Sequence, residues 1–349
     1  MAYHLLKELK DSDDLNLSAI LLNDGRLAHE LRKEGITVNV VDEDKSSFFE
    51  IALVIRKLLR KTPPDLIHSH RYKENTLAYL VSKSLRGTRL VGTQHGMSEV
   101  HEGKITLKDR FIRKLNFLIL SRCFHRVIVV SQDIQKAFVE KHGFRKNTIR
   151  VIHNGIAIPG TLPKKSNSQR FVIGSAGRLF PVKDYALMVE VAKDVNQRNV
   201  NVEFKLAGDG PEMPKLKRLV QKYGLEKCFQ FLDHVDDMST FYDTLDIYLN
   251  TSTHEGIPMT VLEAMAYGIP VVAPAVGGLV EIIDNEKDGC LIESRSPELF
   301  AEKCLELIRN DTLRYQLSIA AREKTVNSFS VQKMAEDYLK VYLSLTEAG

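Results

Sequence analysis

The chain has 349 residues, 44% of them hydrophobic and 27% charged, with 20 Gly, 11 Pro and 4 Cys. That length suits two domains, each able to bury its own core, and the composition excludes a collagenous, disordered or disulfide-stapled polypeptide. No apolar run approaches the roughly 18 residues of a spanning helix, and the opening MAYHLLKELKDSDD mixes both charge signs without the apolar stretch of a signal peptide. The cysteines, at 123, 228, 290 and 304, form neither a C-x-x-C pair nor a His/Cys cluster. The expectation is a cytoplasmic protein without structural zinc. The net charge of +4 is unevenly spread, since residues 1–165 carry 29 Lys and Arg against 18 Asp and Glu, and residues 166–349 carry 20 against 27. A basic first half suits phosphates or an anionic lipid surface, and equally a plain solvated face.

The chain opens inside a helical pattern, with Ala2, Leu5, Leu6 and Leu9 on one face. Apolar runs at 17–24, 36–41, 65–70, 89–95, 126–131 and 148–154 then read as buried parallel strands, with helices expected near 26–34, 47–61, 73–86, 106–123 and 132–142. Residues 159–170, PGTLPKKSNSQR, have no periodicity and read as a linker. The pattern restarts with strands at 171–177, 202–208, 229–235, 246–252, 269–274 and 289–293, and three helical segments close the chain. The expected fold class is α/β: two doubly wound Rossmann-like domains facing a cleft at the carboxyl ends of their strands. The expected borders are 1–158, the 159–170 linker, 171–330, and a C-terminal helix in 331–349 that packs back on the first domain.

Chemistry concentrates at strand ends. In HEGIPMTVLEAMAYGIPVVAP (254–274), Gly256 and Pro258 imply a loop and a helix starting near Met259 or Thr260, so Glu255 falls in the loop and Glu263 in the first helical turn. The free N–H groups of a helix start suit a diphosphate. By residue type alone, Glu255 reads as an exposed loop acid and Glu263 as a partner of the helix dipole. In GSAGRLFPVKDYALMVEVA (174–192), Arg178 and Lys183 flank a turn at Pro181 and can meet a diphosphate from the other side. TQHGM (93–97) places His95 at a strand end, and His68-Ser69-His70-Arg71 forms a second one, suited to acceptor or sugar hydroxyls. Two histidines two apart without a third ligand do not make a metal site. Asp42-Glu43-Asp44 reads as a solvated strand terminus, and no metal is expected, because Arg178, Lys183 and the helix end supply the electrostatic work of a cation.

The order GRLxPxK after a strand, LAGDGPE (206–212), FLDHV (231–235) and the E-x7-E segment, with VIHNGI (151–156) before the linker, resembles the retaining GT-B glycosyltransferases of the glycogen-synthase-like family 4. The resemblance implies transfer of a sugar from a nucleoside-diphosphate sugar to a carbohydrate or lipid-linked acceptor hydroxyl, with retention, in polysaccharide or glycolipid assembly and without a cofactor. By motif position it puts Arg178 and Lys183 on the diphosphate, Glu263 on the ribose hydroxyls, and Glu255 and His95 on the transferred sugar. Backbone N–H groups of Gly256, Ile257, Pro258, Met259 and Thr260 are implied for sugar and phosphates, and the main chain near His234 and Val235 for the base. The implied general base is a phosphate oxygen of the leaving group. The sequence departs from the family's usual form at Lys183-Asp184, where Lys-Gly is common, and at Ile257-Pro258, which leaves the donor sugar open. The alternatives are a nucleotide-sugar epimerase or hydrolase of the same fold, or a non-catalytic nucleotide-sugar binder. No G-x-G-x-x-G follows an expected strand, which sets a dehydrogenase aside.

Two further expectations concern the first half. Segment 104–126 carries seven Lys/Arg and one acid, with Phe111, Ile112, Leu115, Leu118 and Ile119 at helical spacing. It is expected to attach peripherally to an anionic inner membrane face, the alternative being a core-packing helix with a basic outer side, and no nucleic-acid partner is expected. A domain of this type opens on a strand and a Gly-rich loop, whereas this chain opens on a helix. The expectation is a missing central strand between 17–24 and 65–70, with Met1 an internal methionine or the chain a fragment lacking roughly 15–20 residues. The competing expectation brings strands 17–24 and 65–70 together.

Overall fold

A computed structural model describes residues 1–95, 107–160, 170–198 and 200–347. It divides into two units: Met1–Gly155 with Val331–Gly349, and Ile156–Ser330. The first runs α1 (Ala2–Leu9), β1 (Ser18–Leu21), α2 (Arg26–Lys33), β2 (Thr37–Val40), α3 (Phe48–Lys61), β3 (Leu66–Ser69), α4 (Tyr72–Ser82), β4 (Arg89–Gln94), α5 (Leu107–Cys123), β5 (Arg126–Val129), α6 (Gln132–His142) and β6 (Ile149–Val151). The second runs β7 (Phe171–Ala176), α7 (Tyr185–Asn196), β8 (Val202–Ala207), α8 (Met213–Lys222), β9 (Phe229–Phe231), α9 (Met238–Asp243), β10 (Ile247–Leu249), α10 (Met259–Ala266), β11 (Val271–Pro274), α11 (Leu279–Ile282), β12 (Cys290–Ile292), α12 (Pro297–Arg309) and α13 (Asp311–Ser328). The last helix, α14 (Val331–Thr346), belongs to the first unit.

Each strand lies within an apolar run read from the sequence; β4, β5, β7, β10 and β11 are buried along almost their whole length, as a parallel strand covered on both faces requires, whereas β1 and β2 are mostly part-exposed. In the first unit β3-β4-β5-β6 form one parallel sheet and β1-β2 another. No ladder joins β1 to β3 among the described residues, so strands 17–24 and 65–70 do not pair. Local chemistry sets several helix ends: Ser47 and Glu50 form a capping box at α3, and Ser131 accepts from the Ile134 amide at α6. In α14, residues Val331, Met334, Ala335, Tyr338, Val341, Tyr342 and Leu345 recur at helical spacing and pack with Leu5, Leu9, Val91, Ile128 and Ile152. A stripe of that width needs a covering surface, and the first unit supplies it. The division after Gly155 falls ahead of the border expected at 158, since Ile156 bridges to Ser330 and its amide donates to the Phe329 carbonyl.

The second unit holds a parallel sheet of order β12-β11-β10-β7-β8-β9. The chain steps one way from β7 to β8 and β9, then crosses back to place β10 on the other side of β7. The crevice outside the carboxyl ends of β7 and β10 is therefore the topological switch point, where open α/β sheets receive ligands.

Candidate active site

Both strongest sequence signals sit at this switch. The loop after β7 carries Arg178 and Lys183, and Pro181 begins a short 3-10 turn, Pro181–Lys183, that ends at Asp184. The loop after β10 carries Glu255 and leads into α10. They are joined by the Thr253 amide to the Val182 carbonyl at 2.8 Å and the Thr251 hydroxyl to the Lys183 carbonyl at 3.1 Å. Glu255 is not the exposed loop acid expected from residue type: it is 8% exposed. Its Oε1 receives Lys183 Nζ at 2.7 Å, the Ser252 hydroxyl at 2.6 Å and the Asn250 amide at 3.4 Å. Burial of a carboxylate is tolerable on those terms, because a cation and neutral donors replace the water it gave up.

Glu263 is the fifth residue of α10, past the first turn where it was expected, so the helix dipole acts on it only weakly. The Tyr242 hydroxyl on α9 donates to its Oε2 at 2.6 Å. Burial pushes the Glu263 carboxyl above its ordinary range, and the Tyr242 bond pulls it back. The Tyr242 phenol is pushed strongly upward, first by burial. No side chain caps α10, whose N-cap is Pro258. The Val261 and Leu262 amides return to the Pro258 carbonyl, leaving those of Met259 and Thr260 without an acceptor among the described residues. Pro258 has no N–H to give, which corrects its place in the expected amide row. The turn is packed from behind, where the Gly278 amide donates to the Glu255 carbonyl at 2.9 Å and a Cβ on Gly278 would overlap the Gly256 carbonyl. Ile257 is buried.

Arg178 is exposed, its guanidinium 5.1 Å from the centre of the Phe180 ring. Neighbouring loops converge on the same edge. The Gly208 amide after β8 donates to the Asp233 carbonyl after β9 at 2.6 Å, and a Cβ on Gly208 would overlap the Gly177 carbonyl. The bond to Asp233 positions the main chain at His234 and Val235, while the His234 ring points to solvent, 3.4 Å from Asp236.

Sequence reading missed Asn250, Ser252, Tyr242, Gly278 and Arg295. The polar run Asn250-Thr251-Ser252-Thr253 just ahead of Glu255 was a usable signal; Tyr242 had none. Arg295, after β12, reaches Asp184 Oδ2 at 2.5 Å and the carbonyls of Ser252 at 3.0 Å and Thr251 at 2.7 Å. Asp184, where glycine is usual in the resembled family, holds the left-handed conformation at φ 44°. A non-glycine residue pays strain there, and Arg295 fixes the side chain that glycine would lack.

In the first unit, His70 Nδ1 and His95 Nε2 lie 3.3 Å apart, and His68 is held between the Thr93 hydroxyl at 2.8 Å and the Tyr342 hydroxyl at 2.7 Å. Burial lowers His68 well below the usual imidazole range and lowers His70 to about 3, whereas His95 is exposed. Gly96 and Met97 of the TQHGM motif, residues 104–106 of the basic segment and residues 161–169 of the linker lie outside the described residues. Asp42 pairs with Lys45 at 2.8 Å and Glu43 with Lys73, so that acidic run is spent on local cations. Among the described residues no group of three or more His, Cys, Asp or Glu is arranged to hold a metal, and no helix is long and apolar enough to cross a membrane.

Residues 3–158 match the family model Glycosyltransferase Family 4, and residues 162–324 match Glycosyl transferases group 1. The Escherichia coli UDP-Gal:alpha-D-GlcNAc-diphosphoundecaprenol alpha-1,3-galactosyltransferase is 26% identical over 305 residues, covering 83% of this chain and 78% of its own. The D-inositol 3-phosphate glycosyltransferase of Corynebacterium urealyticum is also 26% identical, over 80% of this chain and 72% of its own. Among solved structures, Anabaena HepE in complex with UDP has a TM-score of 0.83 at 23% identity, covering 98% of this chain and 96% of its own. Sucrose-phosphate synthase from Thermosynechococcus elongatus has a TM-score of 0.75 at 18% identity, a likeness of fold.

Proposed function

The chain is a glycosyltransferase of the family 4 type with the GT-B fold, and from that membership we propose that it moves a sugar, with retention, from a nucleoside-diphosphate donor seated at the β7/β10 switch to an acceptor hydroxyl in glycolipid or polysaccharide assembly. The observation that carries the reading is the Lys183–Glu255 pair beside the uncapped start of α10. As the glycosidic bond to the diphosphate breaks, negative charge grows on the leaving group, and groups fixed near it lower the barrier more than they tighten ground-state binding. Lys183 and Glu255 together are neutral. The net positive potential for the diphosphate thus comes from Arg178 and the Met259 and Thr260 amides, while Lys183 holds the Glu255 carboxylate toward the sugar. Gly256 and Ile257 supply the loop backbone beside it. Glu263, oriented by Tyr242, accepts from the ribose hydroxyls, and the His234–Val235 main chain meets the base. A leaving-group oxygen takes the acceptor's proton. No side chain is assigned as general base, and no metal or cofactor is invoked. His95 is read as a contact to the transferred sugar.

UDP is the favoured nucleotide, because the E. coli relative is named for UDP-Gal and HepE is crystallised with UDP. A lipid-linked acceptor at an anionic membrane face is favoured by the diphosphoundecaprenol in that relative's name and by α5, which buries Asn116, Ile119 and Leu120 yet leaves Leu115 and Leu118 exposed among its bases. The test is a screen of UDP-, GDP- and ADP-sugars for thermal stabilisation, followed by transfer assays. Glu255→Gln and Arg178→Ala each lower turnover at saturating donor by at least about tenfold, about 1.4 kcal/mol of transition-state stabilisation. Glu263→Ala acts on donor affinity, and His95→Ala lowers transfer. Stabilisation without transfer points to a binder, and sugar release without an acceptor points to a hydrolase.

A further inference from the structure

The outer side of α3 exposes large apolar side chains beside cations unpaired among the described residues. Its inner side is ordinary, with Ile51 and Ile55 packed on Leu22, Val41, Leu77 and Val81. On the outer side Phe49 is 74% exposed, Leu53 62% and Val54 49%. Phe49, Leu53, Lys57 and Lys61 follow at steps of four along one side of the helix, with Arg60 beside them. Lys57, Arg60 and Lys61 are exposed and have no acidic partner among the described residues. The single acid on this side, Glu50, is spent on the Ser47 amide in the capping box. Large apolar side chains clustered in water with an unneutralised cationic border mark an interaction surface.

We propose that this face is where the protein docks on an anionic lipid bilayer, with Phe49, Leu53 and Val54 entering the interface and Lys57, Arg60 and Lys61 meeting lipid phosphates. The proposal rests on the lipid-surface reading given above and adds the element that enters the membrane. Three features favour a bilayer over other occupants. A second copy of the chain, meeting this face two-fold, would set the same unpaired cations against each other. The excess of 29 bases over 18 acids in residues 1–165 reaches beyond α3 and matches an extended anionic plane. The helix layer also continues, α3 packing on α4 and α4 on α5, where Leu80 and then Leu115 and Leu118 are exposed in turn. An amphipathic basic helix with aromatic and aliphatic tips is the form that lies in a bilayer interface.

The full chain has no tryptophan. Phe49→Trp therefore creates a lone reporter on this face. With vesicles of phosphatidylglycerol and phosphatidylcholine its emission shifts to the blue and is quenched by lipids brominated on the acyl chain; with phosphatidylcholine alone neither occurs. In co-sedimentation, Phe49→Ser/Leu53→Ser lowers the partition coefficient at least about tenfold with an unchanged thermal midpoint, and Lys57→Gln/Arg60→Gln/Lys61→Gln weakens its dependence on lipid charge and salt. Wild type that pellets with anionic vesicles while the reporter stays unshifted, its binding lost instead in Leu115→Ser/Leu118→Ser, overturns the role of α3 and leaves the lipid reading standing. Wild type that pellets with no vesicle overturns both. A monomer–dimer equilibrium abolished by Phe49→Ser assigns the face to a second copy and overturns the proposal.

Discussion

Lys183 and Glu255 stand 72 residues apart in sequence and share a 2.7 Å ion pair, largely out of solvent. Removing one partner of such a pair costs more than removing both, because the survivor is left buried without its counter-charge. Lys183→Met is expected to destabilise the second unit by about 1.5–3 kcal/mol, with Glu255→Gln in the same chain restoring part of the loss, as a urea double-mutant cycle would show. Additive costs would mean the pair is not coupled. Arg295 raises a related question, since its bond to Asp184 is only partly shielded and such pairs alone contribute about 0–1 kcal/mol. Its two bonds to the carbonyls of Thr251 and Ser252, both buried residues, carry more. Arg295→Ala is expected to cost about 1–2 kcal/mol. In that background Asp184→Gly costs less than in the wild type, because the left-handed backbone then loses its strain without giving up a salt bridge. Equal cost in both backgrounds would sink the clasp.

The start of α10 and the turn after β11 support each other backbone to backbone. At Gly278 φ is −71°, so any residue tolerates the conformation; the constraint is space, because a side-chain carbon would overlap the Gly256 carbonyl. Gly278→Ala must therefore push the Glu255–Pro258 turn away from the Gly277–Gly278 turn. Overpacking of this kind costs about 1–3 kcal/mol, and the displaced turn should also lose the donor's thermal stabilisation. Gly224→Ala serves as the control: its φ is 66° but nothing stands within 4 Å of the new carbon, so it costs stability and leaves the donor response intact. A Gly278→Ala protein with full donor response would show that the turn does not shape the site.

Acid should weaken the first unit through its buried histidines. His68 and His70 are lowered by burial, the latter to about 3. The unfolded chain therefore binds protons near pH 6.5 that the folded chain refuses. Stability from these groups is complete above pH 6.5 and falls as pH drops toward 4, by up to about 1.4 kcal/mol per pH unit for each histidine. Denaturation of the first unit at pH 7, 6 and 5 measures the slope, and His70→Gln should reduce it by about one proton's worth; an unchanged slope would remove His70 from the account. The contact of His68 with Tyr342 extends this sensitivity to α14, which is remote in sequence but part of the same core.

The alternation of apolar runs with helical periodicity was enough to locate every strand, because short apolar and β-branched segments stand apart locally from helical spacing. Arg178, Lys183, Glu255 and Glu263 were singled out by the order of their motifs and its resemblance to family 4, since by residue type alone Glu255 reads as an exposed loop acid and Glu263 as a partner of the helix dipole. Strand order, by contrast, is a relation between segments, and only the crossing of β10 back past β7 brought Lys183 to Glu255. Tyr242 reached Glu263 in the same way, through the packing of α9 beside α10. The burial of Glu255 was decided at that level too, whereas the return of the C-terminal helix to the first domain was already expected from the sequence. Periodicity reports which face of an element turns inward, whereas burial and pairing sum over neighbours as far apart in sequence as His68 and Tyr342, and those neighbours exist only once the chain has folded.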